Sequence, residues 1–344
     1  APGAAVCAVV KADAYGHGMV PAARAALAGG ATWLGVATAV EAAGLRAAGI
    51  TGRVLVLGAL SDDELPIALS ADADVVVWRA ETVARVSAHG GGRVHVKLDT
   101  GMGRLGTRDP AEATAVAEAA AAAPGVTVAG LMTHFATADE PGDAFFGEQL
   151  ARFAAWAPAL AQRHPDVVVH AANSAATLRE PGAHFDLVRP GVALYGMDPF
   201  GVDPAAHDLE PALELSSYVA AVKPIAPGES AGYGRRFVAD APTRIATIPI
   251  GYGDGWRRGL TNDADVLVAG RRAPLVGTVS MDNITVDVGA LGDAAAVGAE
   301  AVLLGARGPE RLLAEEVARR LGTINYEVTC GIGARVPRAH IGAA

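Results

Sequence analysis

Short apolar runs rich in valine recur along the first part of the chain, each followed by an alanine-rich stretch. The runs are AAVCAVV (4–10), WLGVA (33–37), RVLVLG (53–58), DVVVW (74–78), RVHVKL (93–98), VTVAGLM (126–132), DVVVHA (166–171) and FDLVRP (185–190). Segments between them, such as MVPAARAALAGG, AVEAAGLRAAG and PAEATAVAEAAAAA, have the composition of helices. GDAFFGEQLARFAAWAPALAQRHP fits the same role, with a proline near its middle as a candidate break. Strands apolar throughout, alternating with helices, predict a parallel sheet covered on both faces. Eight such units predict a (β/α)8 TIM barrel; a doubly wound sheet is the alternative, but it does not require eight.

After about Glu210 the pattern changes. LSSYVAAVKPI, RIATIPIGYG, ADVLVAGRRAPLVGTV, DNITVDV and EAVLLG read as short strands divided by Gly and Pro turns. One helix-like piece, PERLLAEEVARRLG, precedes YEVTCGIGARVPR. The expected division is a barrel over 1–210 and a separate β-rich domain over 211–344.

Composition narrows the function. At 344 residues the chain suits two domains, and 51% hydrophobic residues supply a large core. A formal net charge of −9 argues against nucleic acid or an anionic membrane as partner. No uninterrupted apolar stretch is long enough to span a bilayer. Cys7 and Cys330, both among apolar neighbours, read as buried thiols in a reducing compartment, so the expected location is cytoplasmic. The chain begins at Ala1 and enters a strand almost at once, which suggests an N-terminal piece missing from the sequence.

In such barrels the catalytic groups lie at the C-terminal ends of the strands. Lys11 ends the first run, Lys97 is near the end of the fifth and His134 follows the sixth. Asn173 and Ser174 follow the seventh, and Arg189 ends the eighth. Each alone reads as a solvated loop residue or a satisfied histidine; six at one mouth suggest a site. A lysine there can condense with a carbonyl once its amine is neutral. NSAA (173–176) and RPGVALYG (189–196) offer a hydroxyl and approachable backbone N–H groups for a phosphate. These two features fit pyridoxal phosphate and equally a phosphorylated sugar in a class I aldolase. His17, His134 and His170 have no ligand spacing that suggests a metal.

The ordered set VVKADAYGHG, VKLDTGMGRLG, THFATAD, ANSAA, RPGVALYG, YG at 233–234, IGYGDG and SMD resembles the alanine racemases over essentially the whole chain. The resemblance implies a barrel holding pyridoxal 5'-phosphate and a homodimer in which each β domain completes the partner's active site. Lys11 matches the Schiff-base lysine, which is also the base on one face of the substrate's Cα. Tyr233 matches the base on the other face; a free tyrosine titrates near ~10 and needs help at neutral pH. That help is expected from His134, linking Tyr233 to Arg189, the arginine that faces the cofactor's pyridine nitrogen. Tyr15, Ser174, Gly191 and Val192 match phosphate contacts, the last two through backbone N–H.

Arg104 matches the contact to the substrate carboxylate, and Lys97 a lysine that many members carry as a carbamate. Met281 and Asp282 match the pair presented to the substrate, and Tyr252 a tyrosine lining the entrance. Ala334 departs from the pattern, standing where some members place a phosphate-contacting tyrosine. The implied activity is interconversion of L- and D-alanine, supplying D-alanine for peptidoglycan precursors. The rivals are a racemase of other specificity, a decarboxylase of the same fold type and a non-catalytic cofactor-binding protein. Tyr233 and SMD count against the last.

Overall fold

A computed structural model describes residues 3–164 and 166–342. Eight parallel strands form the first sheet: β1 (Ala5–Val9), β2 (Trp33–Val36), β3 (Arg53–Val56), β4 (Ala73–Val77), β5 (Gly92–Lys97), β6 (Val126–Met132), β7 (Val168–His170) and β8 (Leu187–Val188). Their order is β7-β6-β5-β4-β3-β2-β1-β8, so each strand but the last lies beside its predecessor in sequence. Around the remaining gap, the Asp186 N–H donates to the Val169 carbonyl (3.0 Å) and the Arg189 N–H to the Ala172 carbonyl (2.8 Å). The eight-strand barrel expected from the apolar runs is present. Nearly all strand positions are buried, as a sheet sealed on its inner face by side chains and on its outer face by helices requires.

Cys7, Trp33, Leu55, Val76, Met132 and Leu187, one from each of six strands, make a packed layer inside the barrel. Gly130 of β6 belongs to the same interior: a Cβ there would stand 2.1 Å from His95 Nδ1. The helix Phe145–Ala161 contains Pro158 without breaking there. The proline lies in the last turn, where one lost N–H and one strained carbonyl are tolerated.

The chain divides into two compact units, 1–194 with 340–344 and 195–339. The second is β-rich. Ala221–Ile225, Thr243–Ile248 and Ile284–Asp287 form one antiparallel sheet. Glu300–Arg307 anchors another, pairing with Leu215–Tyr218, Asp265–Val268 and Glu310–Leu312. A two-residue ribbon, Ser230–Ala231 against Phe237–Val238, forms a small hairpin.

Two readings need correction. The segment Glu310–Leu312 is a strand, and the helix begins only at Ala314. Cys330 is exposed rather than buried. It ends a short helix, Asn325–Cys330, whose inward face is Asn325, Val328 and Thr329, which leaves the cysteine on the outer side.

Candidate active site

Lys11 follows β1 after one residue, Val10, and begins a turn of unusual hand. Ala12, Asp13, Ala14 and Tyr15 have φ of 53, 51, 54 and 56°, a left-handed helical turn without a glycine. Each such residue costs roughly 1–2 kcal/mol, so the turn needs compensation. Glu41 provides part of it: Oε1 accepts the Ala12 N–H at 2.7 Å, and Oε2 accepts the Ala37 N–H at 2.7 Å. The same residue forms the capping box of the helix Ala39–Ala47 with Thr38. Asp13 Oδ1 accepts the Met19 N–H at 2.7 Å, pinning the far end. The Thr38–Glu41 spacing is that of a capping box, but nothing in the sequence marks Glu41's second task, on a turn 29 residues away.

At the C-terminal ends of β7 and β8 lies a small polar cradle. Ser174 is buried, and its Oγ accepts the N–H of Gly191 (2.8 Å) and of Ala193 (3.3 Å). A Cβ at Gly191 would lie 2.2 Å from the Tyr15 hydroxyl oxygen, so only glycine lets that hydroxyl reach this backbone. Val192 is fully buried and opens the short 3-10 turn Val192–Tyr195. Asn173 is the N-cap of the helix Ser174–Arg179, accepting the Ala176 N–H at 3.0 Å, a structural role. Tyr15, Ser174 and Gly191 thus come together at this barrel end, with Val192 next along the chain.

Beside the cradle, the buried Arg189 guanidinium has no carboxylate in hydrogen-bond contact among the described residues. Nη1 donates to His170 Nδ1 at 2.7 Å; Nη2 donates to the carbonyls of Thr133 (2.8 Å) and Ala171 (2.9 Å) and, at 3.3 Å, to His134 Nδ1. Burial lowers the guanidinium to about 10. Burial first, and then the Arg189 charge, hold His134 well below the usual histidine range. It is a neutral ring with Nδ1 accepting, so Nε2 carries the proton.

Lys97 is buried at the end of β5. Burial, followed by the charges of Arg189 and Arg104, pushes its ammonium down to about 8. The charge of Lys11 acts on both Lys97 and His134, which places these groups in one electrostatic neighbourhood. Arg104 itself is exposed, on a loop held by Asp99, whose carboxylate accepts the N–H groups of Gly101 and Gly103 at 3.0 Å.

The remaining candidates sit in the second unit. Tyr233 lies at the tip of the small hairpin, 74% exposed, its carbonyl accepting from Thr278 Oγ1 at 2.6 Å. It lines an open pocket with Ser280 and Asn283. The Tyr252 N–H donates to the Ser280 carbonyl (3.0 Å), and the Gly253 N–H to the Met281 carbonyl (2.9 Å), so the IGYGDG and SMD loops are laced together. Arg335, adjacent to Ala334, strengthens the lacing. It binds Asp254 Oδ1 at 2.6 Å, Asp282 Oδ1 at 2.7 Å and the Met281 carbonyl at 3.3 Å. Nothing in its sequence neighbourhood marked it for this role.

The chain matches two family models: "Alanine racemase, N-terminal domain" over residues 1–199 and "Alanine racemase, C-terminal domain" over residues 212–340. It is 46% identical to the alanine racemase of Frankia casuarinae, over 98% of this chain and 90% of that protein. With the alanine racemase of Thermobifida fusca it shares 45% identity, over 100% and 93%. The solved alanine racemase of Streptomyces coelicolor superposes with a TM-score of 0.92 at 41% identity, over 99% and 93% of the two chains. That of Bacillus anthracis, with bound L-Ala-P, gives 0.88 at 38%, over 98% and 88%. Barrel, β-rich unit, cradle and likeness over nearly the full length agree: the chain belongs to the alanine racemase family.

Proposed function

We propose that this protein interconverts L- and D-alanine with pyridoxal 5'-phosphate, using one base on each face of the substrate's Cα. The observation that carries the reading is the placement of Lys11 on the same barrel end as the Tyr15–Ser174–Gly191 cradle. The residues fit the cofactor: Tyr15 and Ser174 bring two hydroxyls to the Gly191 backbone, where a Cβ would collide with the Tyr15 hydroxyl, and a bound phosphate would take the Gly191 and Val192 N–H groups, the first now held by Ser174 Oγ. Lys11 supplies the amine that would hold the aldehyde. When bound, the cofactor draws electrons from the substrate's Cα and so acidifies its hydrogen.

The chain's own groups then move the proton. Lys11 serves one face; Tyr233 serves the other, so a proton leaves one side and another returns opposite it without the substrate turning. His134, neutral and with its proton on Nε2, is suited to donate toward the Tyr233 oxygen and favour the phenolate. Arg189, a cation with no carboxylate in hydrogen-bond contact among the described residues, would face the pyridine nitrogen, leave it unprotonated and keep the electron withdrawal mild. Arg104 and the N–H of Met281 would take the substrate carboxylate, with Asp282 and Tyr252 at the entrance. Lys97, whose ammonium burial pushes down to about 8, would carry a carbamate whose negative charge would orient Arg104.

The barrel, expected over 1–210, would hold the cofactor, and the β domain over 211–344 would complete the site of a second subunit in a homodimer. The reaction belongs in the cytoplasm, feeding D-alanine to peptidoglycan precursors. The test is to incubate the protein with pyridoxal phosphate and L-alanine and resolve the enantiomers by chiral chromatography. D-Alanine should accumulate with the native chain and not with Lys11→Ala. Equal accumulation in both would overturn the role of Lys11, and none in either would overturn the racemase reading.

A further inference from the structure

Arg189 has a second connection, running away from the cradle through the barrel interior. His170 Nε2 lies 2.7 Å from His95 Nδ1, and His95 Nε2 lies 3.0 Å from Asp74 Oδ2. Asp74, His95 and His170 have no exposed surface. Gly130 leaves the space that the His95 ring occupies. At the far end, Asp74 is ion-paired with Arg53 (2.9 Å) and Arg93 (2.5 Å), both half-buried, and the Arg53 guanidinium stacks 3.9 Å over the Trp33 ring.

The direction of every hydrogen bond in this line is forced. Arginine only donates, so His170 Nδ1 accepts and its proton is on Nε2. That N–H donates to His95 Nδ1, which must accept, so the His95 proton is also on Nε2 and points at the Asp74 carboxylate. A second proton on either ring would set two donors face to face. The buried Arg189 cation is therefore joined to the Asp74 carboxylate through two neutral rings.

We infer that Asp74 is a positioning residue for Arg189, acting through His95 and His170 locked in the Nε2–H tautomer. The device fixes one edge of the guanidinium, which leaves the other edge in one constant orientation toward the cofactor ring. This last consequence rests on the racemase reading; the tautomer assignment does not. With Asp74 replaced, the His95 Nε2–H loses its acceptor, the His95 ring is no longer held, and His170 and Arg189 lose their support with it.

The experiment is histidine-selective nitrogen-15 labelling of the full-length protein and long-range proton–nitrogen correlation, for the native chain, Asp74→Asn and Asp74→Leu. Native His95 and His170 should both show protonated Nε2 and bare Nδ1 at neutral pH. Both variants should shift the His170 ring resonances, although that residue does not touch position 74. Racemisation should fall roughly ten- to a hundredfold, the cost of slight misplacement of a positioned group. A native His170 protonated on Nδ1, a doubly protonated His95, or His170 resonances unmoved in a folded variant would overturn the inference. Should neither variant fold, the native spectrum alone decides it. A native chain with the expected tautomers but no racemisation would defeat the racemase reading and leave the tautomer lock standing.

Discussion

His134 and His170 are neutral in the fold, and this has a consequence for stability. Burial, with the Arg189 charge second, keeps both well below the ordinary histidine range. The unfolded chain takes up protons near pH ~6.5 where the folded one does not. Stability is therefore present at higher pH and is lost as pH falls through that value, at up to about 1.4 kcal/mol per unit for each ring. Between pH ~7.5 and ~5.5 the two should together cost about 3 kcal/mol. The urea midpoint of the barrel should fall accordingly; a flat or rising midpoint over that interval would contradict the neutral assignments. Residues of this kind were only partly legible. Lys11, His134, Ser174 and Arg189 stand out because they interrupt an apolar pattern at the ends of strands. His95 and Asp74 lie inside the strand segments, where a polar residue reads as an ordinary sheet position. What gives them meaning is a partner 75 residues away for one and the Arg93 pair for the other.

Among the elements, the barrel strands were readable because their apolar runs have no amphipathic alternation and match a sheet buried on both sides. The left-handed turn after Lys11 was not. KADAY contains no glycine, and its composition suggests an ordinary helix start; bonds within the turn, such as the Ala14 N–H to the Val10 carbonyl (2.9 Å), and braces from outside sustain the opposite hand. Among the braces, Glu41 gathers three backbone N–H groups on one carboxylate, Ala12 of the turn and Ala37 and Thr38 of its own cap. Glu41→Ala leaves Thr38 as the cap but removes the carboxylate half of the capping box and the brace, so the barrel should lose about 1–2 kcal/mol, the worth of one or two hydrogen bonds to a charged group. The same variant should attach pyridoxal phosphate more slowly, since Lys11 stands at the start of the released turn. An unchanged urea midpoint and attachment rate would show that the turn holds itself.

For the molecule as a whole, the change after about Glu210 from long alternating units to short strands with Gly and Pro turns made the second unit visible in the sequence. Its detailed pairing was not visible, because strands of two to eight residues leave register to side chains far apart in the chain. The division also frames the central claim, that each unit contributes one base: Lys11 from the barrel and Tyr233 from the β-rich unit. Net racemisation cannot test this alone, since the two enantiomers are equal in energy and a variant must lose catalytic efficiency equally in both directions. The most direct measurement is exchange of the Cα hydrogen in deuterated water by Tyr233→Phe loaded with pyridoxal phosphate, followed for L- and D-alanine separately. One enantiomer should go on exchanging with its configuration retained, through Lys11, while the other stops. Equal loss, or equal survival, of exchange in both would contradict a base on each face.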